Sequence, residues 1–237
     1  YVATSPQGDV RVKVDFAASG KKMQLSVRNT IYDAARKIVA KSQGVQEQKL
    51  KVKNPHIWDI GKGYLYTVKS ELLVNGKVVD VATSTAGFRD VKFDAKKGFF
   101  LNGRNLKING VCEHHDFGCL GAAVNEDAMH RKLTILRDMG VNAIRSSHNP
   151  PAPELLNMCD SMGILVMDES FDMWRRKKSN GDYARFFDEW HKKALSDLNK
   201  RYRNHPSIIM WSFGNEVLEQ WSDAAADTLS LEQANLI

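Results

Sequence analysis

The chain has 237 residues, 43% of them hydrophobic, and a formal net charge of +6, which is typical of one large domain or two smaller ones with a full apolar core. Basic residues are interleaved with acidic ones except in the run Arg-Arg-Lys-Lys at 175–178, which we interpret as a solvated loop because no nucleic-acid-binding motif accompanies it. The three cysteines are too few for a disulfide framework, and no apolar run reaches the roughly 18 residues of a membrane span, so we predict neither nucleic-acid nor membrane binding.

The first part of the chain predicts β-structure, because apolar and polar residues alternate in it. Such runs lie at residues 10–16, 23–27, 50–52, 64–68, 71–74 and 77–81, and a turn at 20–22 precedes the second of them. Asn75-Gly76 separates the last two runs, and this dipeptide is the strongest short signal for a hairpin, since both positions tolerate a positive φ. Strands at this spacing without a helical period predict an immunoglobulin-like β-sandwich at 1–97.

After a second hairpin signal at Asn102-Gly103, the pattern changes to strands that alternate with helices. The predicted strands lie at 106–111, 141–145, 164–168 and 208–213. The last of them is apolar enough to be buried on both faces. A helix capped by Asn125 follows the first strand, a helix opened by Pro153 follows the second, and a third helix ends before Pro206. This order predicts parallel strands with right-handed crossovers.

Four strand–helix units are half of an eight-stranded barrel, so the predicted fold is multi-domain, β followed by α/β. The immunoglobulin-like sandwich at 1–97 precedes the first four β/α units of a TIM (β/α)8 barrel at 98–237. In such barrels the catalytic groups lie at the C-terminal ends of the strands. Side chains with chemistry to offer follow all four of these ends: His114, His115, Arg145, His148, Asp172, Trp174, Asn215 and Glu216.

Glu216 is the residue that we expect to act as an acid or base, since this carboxylate, preceded by an amide side chain, ends the fourth strand. The alternative is a glutamate that pairs with a lysine or caps the next helix. The neighbouring His114 and His115 point to opposite sides of an extended stretch and do not easily ligate one ion, so we predict no metal site there. Asp168 and Glu169, at the end of the third strand, are interpreted as structural charges.

Three stretches resemble glycoside hydrolase family 2, the β-galactosidase family. The family's acid/base strand, in which an Asn-Glu pair ends the fourth barrel strand, is similar to HPSIIMWSFGNE at 205–216. The family's Arg-x-Ser-His-Tyr-Pro resembles RSSHNP at 145–150, and its His-Glu-His-His resembles CEHH at 112–115. The resemblance covers nearly all of this chain, which corresponds to only the middle of the family's proteins.

The resemblance implies a role for five of the candidate residues. Glu216 is the general acid/base, and Asn215 hydrogen-bonds the sugar 2-hydroxyl. Arg145 supports the nucleophile. His148 donates a hydrogen bond to a sugar hydroxyl, and of the two neighbouring histidines we expect His115 to line the sugar pocket.

The end of the third strand departs from the family. The better-known β-galactosidases carry Glu-Thr-His-Gly there, which supplies magnesium ligands, whereas this chain has Asp172-Met173-Trp174. The resemblance therefore raises magnesium as a cofactor without supplying its usual ligand motif. We expect Asp172 and Trp174 to contact substrate. Trp174 offers a flat apolar face to a sugar ring or, in the alternative, packs in the core.

The resemblance implies an exo-acting, retaining glycoside hydrolase, in the first place a β-galactosidase that acts on terminal β-galactosides. The alternatives are a β-glucuronidase or β-mannosidase of the same family, or a non-catalytic carbohydrate-binding module. The family's nucleophilic glutamate ends the seventh barrel strand, so we expect it outside this chain and expect the chain alone to be inactive. Whether the intact protein forms a homo-oligomer stays open, as do the linkage and the compartment, for which the bacterial cytoplasm and the periplasm are the alternatives.

Overall fold

The computed structural model describes residues 1–17, 19, 23–221 and 226–237, and the turn predicted at 20–22 lies outside them. The chain groups into two compact units. The first consists of Tyr1–Lys107, Asp160–Gly163 and Asn204–Pro206, and the second of Ile108–Cys159, Ile164–Arg203 and Ser207–Ile237. The domain boundary expected between residues 97 and 98 stays a prediction.

The first unit is built from β-strands. They are β1 Val2–Thr4, β2 Asp9–Lys13, β3 Leu25–Tyr32, β4 Ile38–Gly44, β5 Glu47–Lys51, β6 Tyr66–Val74, β7 Lys77–Ala86, β8 Val91–Asp94, β9 Gly98–Leu101 and β10 Arg104–Leu106. They form three antiparallel sheets, with the orders β1-β2-β5, β4-β3-β6-β7 and β10-β9-β8.

Alternating burial along the strands builds the core of this unit. In β2, Val10 and Val12 are buried while their neighbours are exposed, as the alternation predicts. They pack with Leu50 of β5 and, from the four-stranded sheet, with Ile31 and Val68. Burying each such side chain contributes about 1.5–3 kcal/mol before the entropy cost. Two antiparallel sheets that share one apolar core are a β-sandwich, so this part of the fold prediction is confirmed.

Residues 64–68 and 71–74 are predicted as separate strands, but 66–68 and 71–74 belong to the single strand β6, which begins after residues 64 and 65. Lys69 and Ser70, which lie between them, do not continue the apolar alternation, yet they pair with β3 on one side and with β7 on the other. Ladder hydrogen bonds on both sides thus outweigh the local pattern.

Both predicted Asn-Gly hairpins are present. Asn75-Gly76 joins β6 to β7 with φ of 49° and 79°, and Asn102-Gly103 joins β9 to β10 with φ of 51° and 77°. Both central positions of each turn are left-handed, as a type I′ turn requires, and this twist matches that of the flanking strands.

The second unit alternates strands and helices. Its strands are β11 Gly110–Glu113, β12 Ala143–Ser146, β13 Leu165–Glu169 and β14 Ile208–Ser212, and the helices are α1 Glu126–Asp138, α2 Pro153–Met162, α3 Ala184–Tyr202 and α4 Ala226–Ala234. The strands are parallel and hydrogen-bonded in the order β11-β12-β13-β14. Asn125 caps α1, because its Oδ1 accepts the N–H of Ala128 at 2.8 Å. The predicted partial TIM barrel is confirmed.

Two details of the barrel prediction are wrong. The first barrel strand is β11 rather than 106–111, because Leu106 pairs with Phe99 in the β9–β10 hairpin. The strand β14, predicted to be buried on both faces, buries Ile208 but leaves 209–212 half-buried in the described part of the chain. None of the described helices combines the length and the apolar character that crossing a membrane requires.

Candidate active site

The C-terminal ends of β12, β13 and β14 lie at one edge of the sheet, since the strands are parallel. The side chain of Glu169, the last residue of β13, is 0% exposed there. Its Oε2 accepts hydrogen bonds from Arg145 Nε at 2.9 Å and Nη2 at 2.7 Å, and from Ser212 Oγ at 2.8 Å. Burial opposes the positive charge of Arg145, but the bonds to Glu169 outweigh it and raise the pKa of Arg145. Glu169 therefore ties all three strand ends together.

His148 is bound to the other carboxylate oxygen of Glu169. Its Nδ1 lies 2.6 Å from Glu169 Oε1, so the ring donates its N–H to the carboxylate. A neutral ring then presents Nε2 as an acceptor. Donation from His148 to a sugar hydroxyl, as expected from the sequence, would need the doubly protonated ring.

The two neighbouring histidines after β11 have different surroundings. The ring of His114 meets that of His148 edge-on, with 5.4 Å between the centroids. His115 is half-buried, and its Nε2 has no hydrogen-bond partner among the residues that the structure describes. The histidine that contacts His148 is thus His114, and the role expected for His115 stays a prediction.

Asn215, which is 8% exposed, is held at both ends of its amide. Its Oδ1 accepts from Arg145 Nη2 at 2.8 Å, and its Nδ2 donates to Asp172 Oδ1 at 2.9 Å. Lys178 Nζ donates to the same Asp172 oxygen at 2.9 Å. Burial acts to raise the pKa of Asp172, but the hydrogen bonds from Lys178 and Asn215 outweigh it and hold that pKa below its ordinary value. Asp172 is therefore an ionised part of the network, and the substrate contact expected of it stays a prediction.

Glu216 follows Asn215 and is exposed, with no hydrogen-bond partner in the described part of the chain. Its φ is +44°, a left-handed conformation that is uncommon for a residue with a side chain. The preceding Gly214 lies close to the core, because a Cβ there would stand 2.8 Å from both Trp174 Nε1 and Val217 Cγ1. The turn at 214–216 is thus packed against the core on one side, and the carboxylate of Glu216 is exposed on the other.

Trp174 does not offer a face to a sugar in this structure, and this corrects the expectation that it contacts substrate. It is 1% exposed and packs in a core cluster with Phe171 and Phe187. Its Nε1 donates to the carbonyl oxygen of Phe213 at 2.7 Å. The alternative in which Trp174 packs in the core agrees with this burial, and its contacts support the turn at 214–216.

Sequence reasoning misses two residues of this site. Glu169, interpreted as a structural charge, holds both Arg145 and His148. Lys178 belongs to the basic run interpreted as a solvated loop, yet it pairs with Asp172. The sequence feature that points to Glu169 is its position at the end of a barrel strand, because a charge buried there needs partners. Nothing local in the sequence distinguishes Lys178 from its basic neighbours.

A cavity of about 420 Å³ adjoins the network. It is lined by Asn149, Pro150, Ser170, Phe171, Asp172, Met173, Asp182, Tyr183 and Ala194. Asp172 belongs to both the cavity and the network, so a ligand in the cavity would lie within reach of the site. The volume falls in the usual range for small-molecule pockets.

The residues around Asp172 do not fit a magnesium ion. Mg²⁺ requires a near-octahedral set of oxygen ligands, and the described residues contain no group of three His, Cys, Asp or Glu side chains that could hold a metal. The ammonium group of Lys178, which can only donate, stands 2.9 Å from the Asp172 carboxylate. A dication at this carboxylate would meet like charge and too few oxygens.

Two family models match the chain. Residues 1–89 match the model described as "Glycosyl hydrolases family 2", and residues 91–233 match "Glycosyl hydrolases family 2, TIM barrel domain". The chain belongs to glycosyl hydrolase family 2. The family resemblance predicted from the strand ends is thereby confirmed, and the sandwich and the partial barrel are domains of family 2.

Known proteins resemble the chain over most or all of its length. "Beta-galactosidase BoGH2A" of Bacteroides ovatus is 52% identical, over 100% of this chain and 30% of the relative. A "Putative beta-glucuronidase" of Formosa agariphila is 41% identical, over 88% of this chain and 20% of the relative. The crystal structure of a family 2 member from Bacteroides cellulosilyticus has a TM-score of 0.90 and 36% identity, over 100% of this chain and 33% of that one. The chain thus spans a third or less of the length of these proteins.

Proposed function

We propose that this chain carries the acid/base side of the active site of a retaining, exo-acting glycoside hydrolase, with Glu216 as the general acid/base. The observation that carries this proposal is the network of Arg145, Glu169 and Asn215, beside which Glu216 stands exposed on a packed turn. A general acid/base must reach the leaving oxygen and later a water molecule. An exposed carboxylate on an ordered turn meets both needs.

In a retaining hydrolase two carboxyl groups stand about 5–5.5 Å apart on either side of the scissile bond. Glu216 donates its proton to the glycosidic oxygen as the bond to the anomeric carbon breaks, and its carboxylate then takes a proton from the water that releases the sugar. The Asn215 amide has two N–H groups. One is bound to Asp172, and the other binds the sugar 2-hydroxyl in our proposal, while His148 accepts a hydrogen bond from another hydroxyl.

The nucleophile, in this proposal, is a glutamate on a later barrel strand outside this chain. Arg145 is suited to orient it, because its guanidinium keeps a permanent charge and its side chain is 29% exposed beside Glu169. The proposal therefore includes that the 237-residue chain by itself does not turn over glycosides.

The substrate that we propose is a terminal β-galactoside. The support is the 52% identity to a relative named as a β-galactosidase. A β-glucuronidase is the second candidate, because a relative at 41% identity is named as a putative β-glucuronidase. The ratio of kcat/KM for 4-nitrophenyl β-D-galactoside to that for the matching β-D-glucuronide, measured on the full-length protein that carries this chain, distinguishes the two.

The acid/base role is tested by Glu216→Gln in that full-length protein. We expect hydrolysis of a β-galactosyl disaccharide to slow by about 10²–10⁴-fold, since its leaving group needs protonation. An activated aryl galactoside should lose less in the glycosylation step, and azide, which needs no general base, should restore turnover of its glycosyl-enzyme. Glu189, an exposed residue of α3, supplies the matched control Glu189→Gln, which should keep full activity.

Full activity of Glu216→Gln on the disaccharide would show that the acid/base is another residue. Enzyme-like hydrolysis of an aryl β-galactoside by the 237-residue chain alone would contradict the proposed position of the nucleophile. If the full-length protein hydrolyses neither the galactoside, nor the glucuronide, nor the matching β-D-mannoside, the non-catalytic alternative is favoured.

A further inference from the structure

The loop after β13 is bound to the turn that carries Glu216 through one lysine. Lys178 Nζ donates to Asp172 Oδ1 at 2.9 Å and to the backbone carbonyl oxygen of Asn215 at 2.7 Å. The side chains of Lys178 and Asp172 are 22% and 33% exposed. Carboxylates and backbone carbonyls are among the oxygen types with which proteins bind hard cations, and here an ammonium group bridges one of each.

Asn215 is the centre of this arrangement. Lys178 holds its backbone carbonyl, Asp172 holds its Nδ2, and Arg145 holds its Oδ1. The next residue, Glu216, adopts a φ of +44°. A non-glycine residue in the left-handed region is strained and persists only where its surroundings fix it. The three anchors on Asn215 provide that constraint.

We infer that Lys178 is a positioning residue, a built-in cation that holds the acid/base turn through Asp172 and the Asn215 carbonyl, so that this carboxylate needs no magnesium ion. This inference rests on the proposed role of Glu216. It goes beyond that role, because it names the group that orders the turn and makes activity independent of magnesium at this position.

The lysine–carboxylate pair alone would carry little weight, since ion pairs near the surface contribute little to stability. The second bond of Lys178 is the decisive one, because its acceptor is the backbone directly before Glu216. A lysine ammonium group has three donors and can serve both oxygens at once. It also occupies the Asp172 oxygen that a metal ion would need.

The first test is Lys178→Met in the full-length protein. We expect kcat on a β-galactosyl disaccharide to fall by about 10- to 100-fold, because a displacement of about 1 Å at a catalytic group has effects of that size. The fall should be smaller on an activated aryl galactoside, which needs little protonation, and KM should change less than kcat. A general loss of folded protein would lower kcat on both substrates to the same extent. The adjacent, exposed Lys177 supplies the matched control Lys177→Met, which should keep wild-type activity.

The second test adds a cation from solution. In Lys178→Ala, ethylammonium ions should restore part of the lost kcat on the disaccharide, and Lys178→Arg should retain more activity than Lys178→Met. Wild-type protein should keep its activity in EDTA. Its thermal unfolding midpoint should not shift with MgCl₂, and titration calorimetry should give no saturable heat of Mg²⁺ binding.

The inference is overturned if Lys178→Met keeps kcat on the disaccharide within about twofold of wild type, a difference below about 0.5 kcal/mol. It is also overturned if EDTA abolishes the activity of the wild-type enzyme and Mg²⁺ restores that activity. That second readout needs no variant, so it decides the matter even if Lys178→Met does not fold. Both outcomes leave the proposed function intact, since galactoside hydrolysis by wild type is observed in each. A wild-type protein without any hydrolysis contradicts the proposed function instead.

Discussion

Replacement of Glu169 tests the hydrogen-bond network that connects the three strand ends. The carboxylate is 0% exposed and accepts two bonds from Arg145, one from Ser212 and one from His148. Removing one partner of a buried ion pair costs about 3–5 kcal/mol, because the other charge loses its compensation. The Arg145 side chain is 29% exposed, so water compensates part of its charge once Glu169 is removed. We therefore expect Glu169→Ala to lower the free energy of unfolding by about 3 kcal/mol.

Glu169→Gln keeps the shape of the side chain and removes its charge. The amide oxygen, standing in for Oε2, still accepts from Arg145 and Ser212, while the amide N–H faces His148, whose Nδ1 must then accept. Each of the two Arg145 bonds weakens from about 1.5–3 kcal/mol to about 1 kcal/mol without the negative charge. Over the two bonds this is a loss of about 1–4 kcal/mol, and because glutamine keeps contacts that alanine removes, we expect a smaller loss than for the alanine variant.

Urea unfolding at pH 7 measures both changes as shifts of the midpoint at constant slope. Trp174 and Trp211 both belong to the second unit, so tryptophan fluorescence can follow its unfolding. The exposed Glu189 on α3 is the control, and Glu189→Ala should change the free energy by no more than about 0.5 kcal/mol. A loss below about 1 kcal/mol for Glu169→Ala, the value of a surface pair, would refute the reasoning. A glutamine variant less stable than the alanine variant would refute it as well.

Two further predictions concern the sandwich and the turn. The hydrogen bond from Arg28 is the main cause that lowers the pKa of Glu71 to about 2. In the unfolded chain this pKa is near 4.3. The ionised carboxylate therefore stabilises the fold above about pH 4.5, and this stabilisation is lost as the pH falls towards 2. Glu71→Gln should therefore flatten the acid limb of a stability–pH curve and lower stability at pH 7 by roughly 1 kcal/mol, and an unchanged acid limb would contradict this. Gly214→Ala puts a Cβ 2.8 Å from Trp174 Nε1, so kcat on the disaccharide should fall at least about tenfold. Gly110→Ala, whose Cβ has only ordinary contacts of 3.5 Å, should keep it.

Much of the fold follows from short stretches of sequence. Asn75-Gly76 and Asn102-Gly103 form their predicted turns because two adjacent residues suffice to define a type I′ conformation. Asn125 caps α1 because its acceptor reaches an N–H three residues away. The grouping of Arg145 and Asn215 at one edge follows from parallel strands, which the strand–helix order already implies. These features depend on backbone periodicity and on near neighbours.

The tertiary structure decided the rest, because burial and side-chain pairing depend on residues far apart in the chain. Leu106 joined a hairpin rather than a barrel strand, since pairing with Phe99 outweighed its local pattern. Trp174 is in the core because its indole packs beside Phe213, 39 residues away. Lys178, one of four consecutive basic residues, differs from the others because the fold brings the Asn215 carbonyl, 37 residues away, within 2.7 Å of its ammonium group. Local sequence carries no record of such distant partners, so only the folded chain distinguishes a solvated lysine from one that is bound to the turn at 214–216.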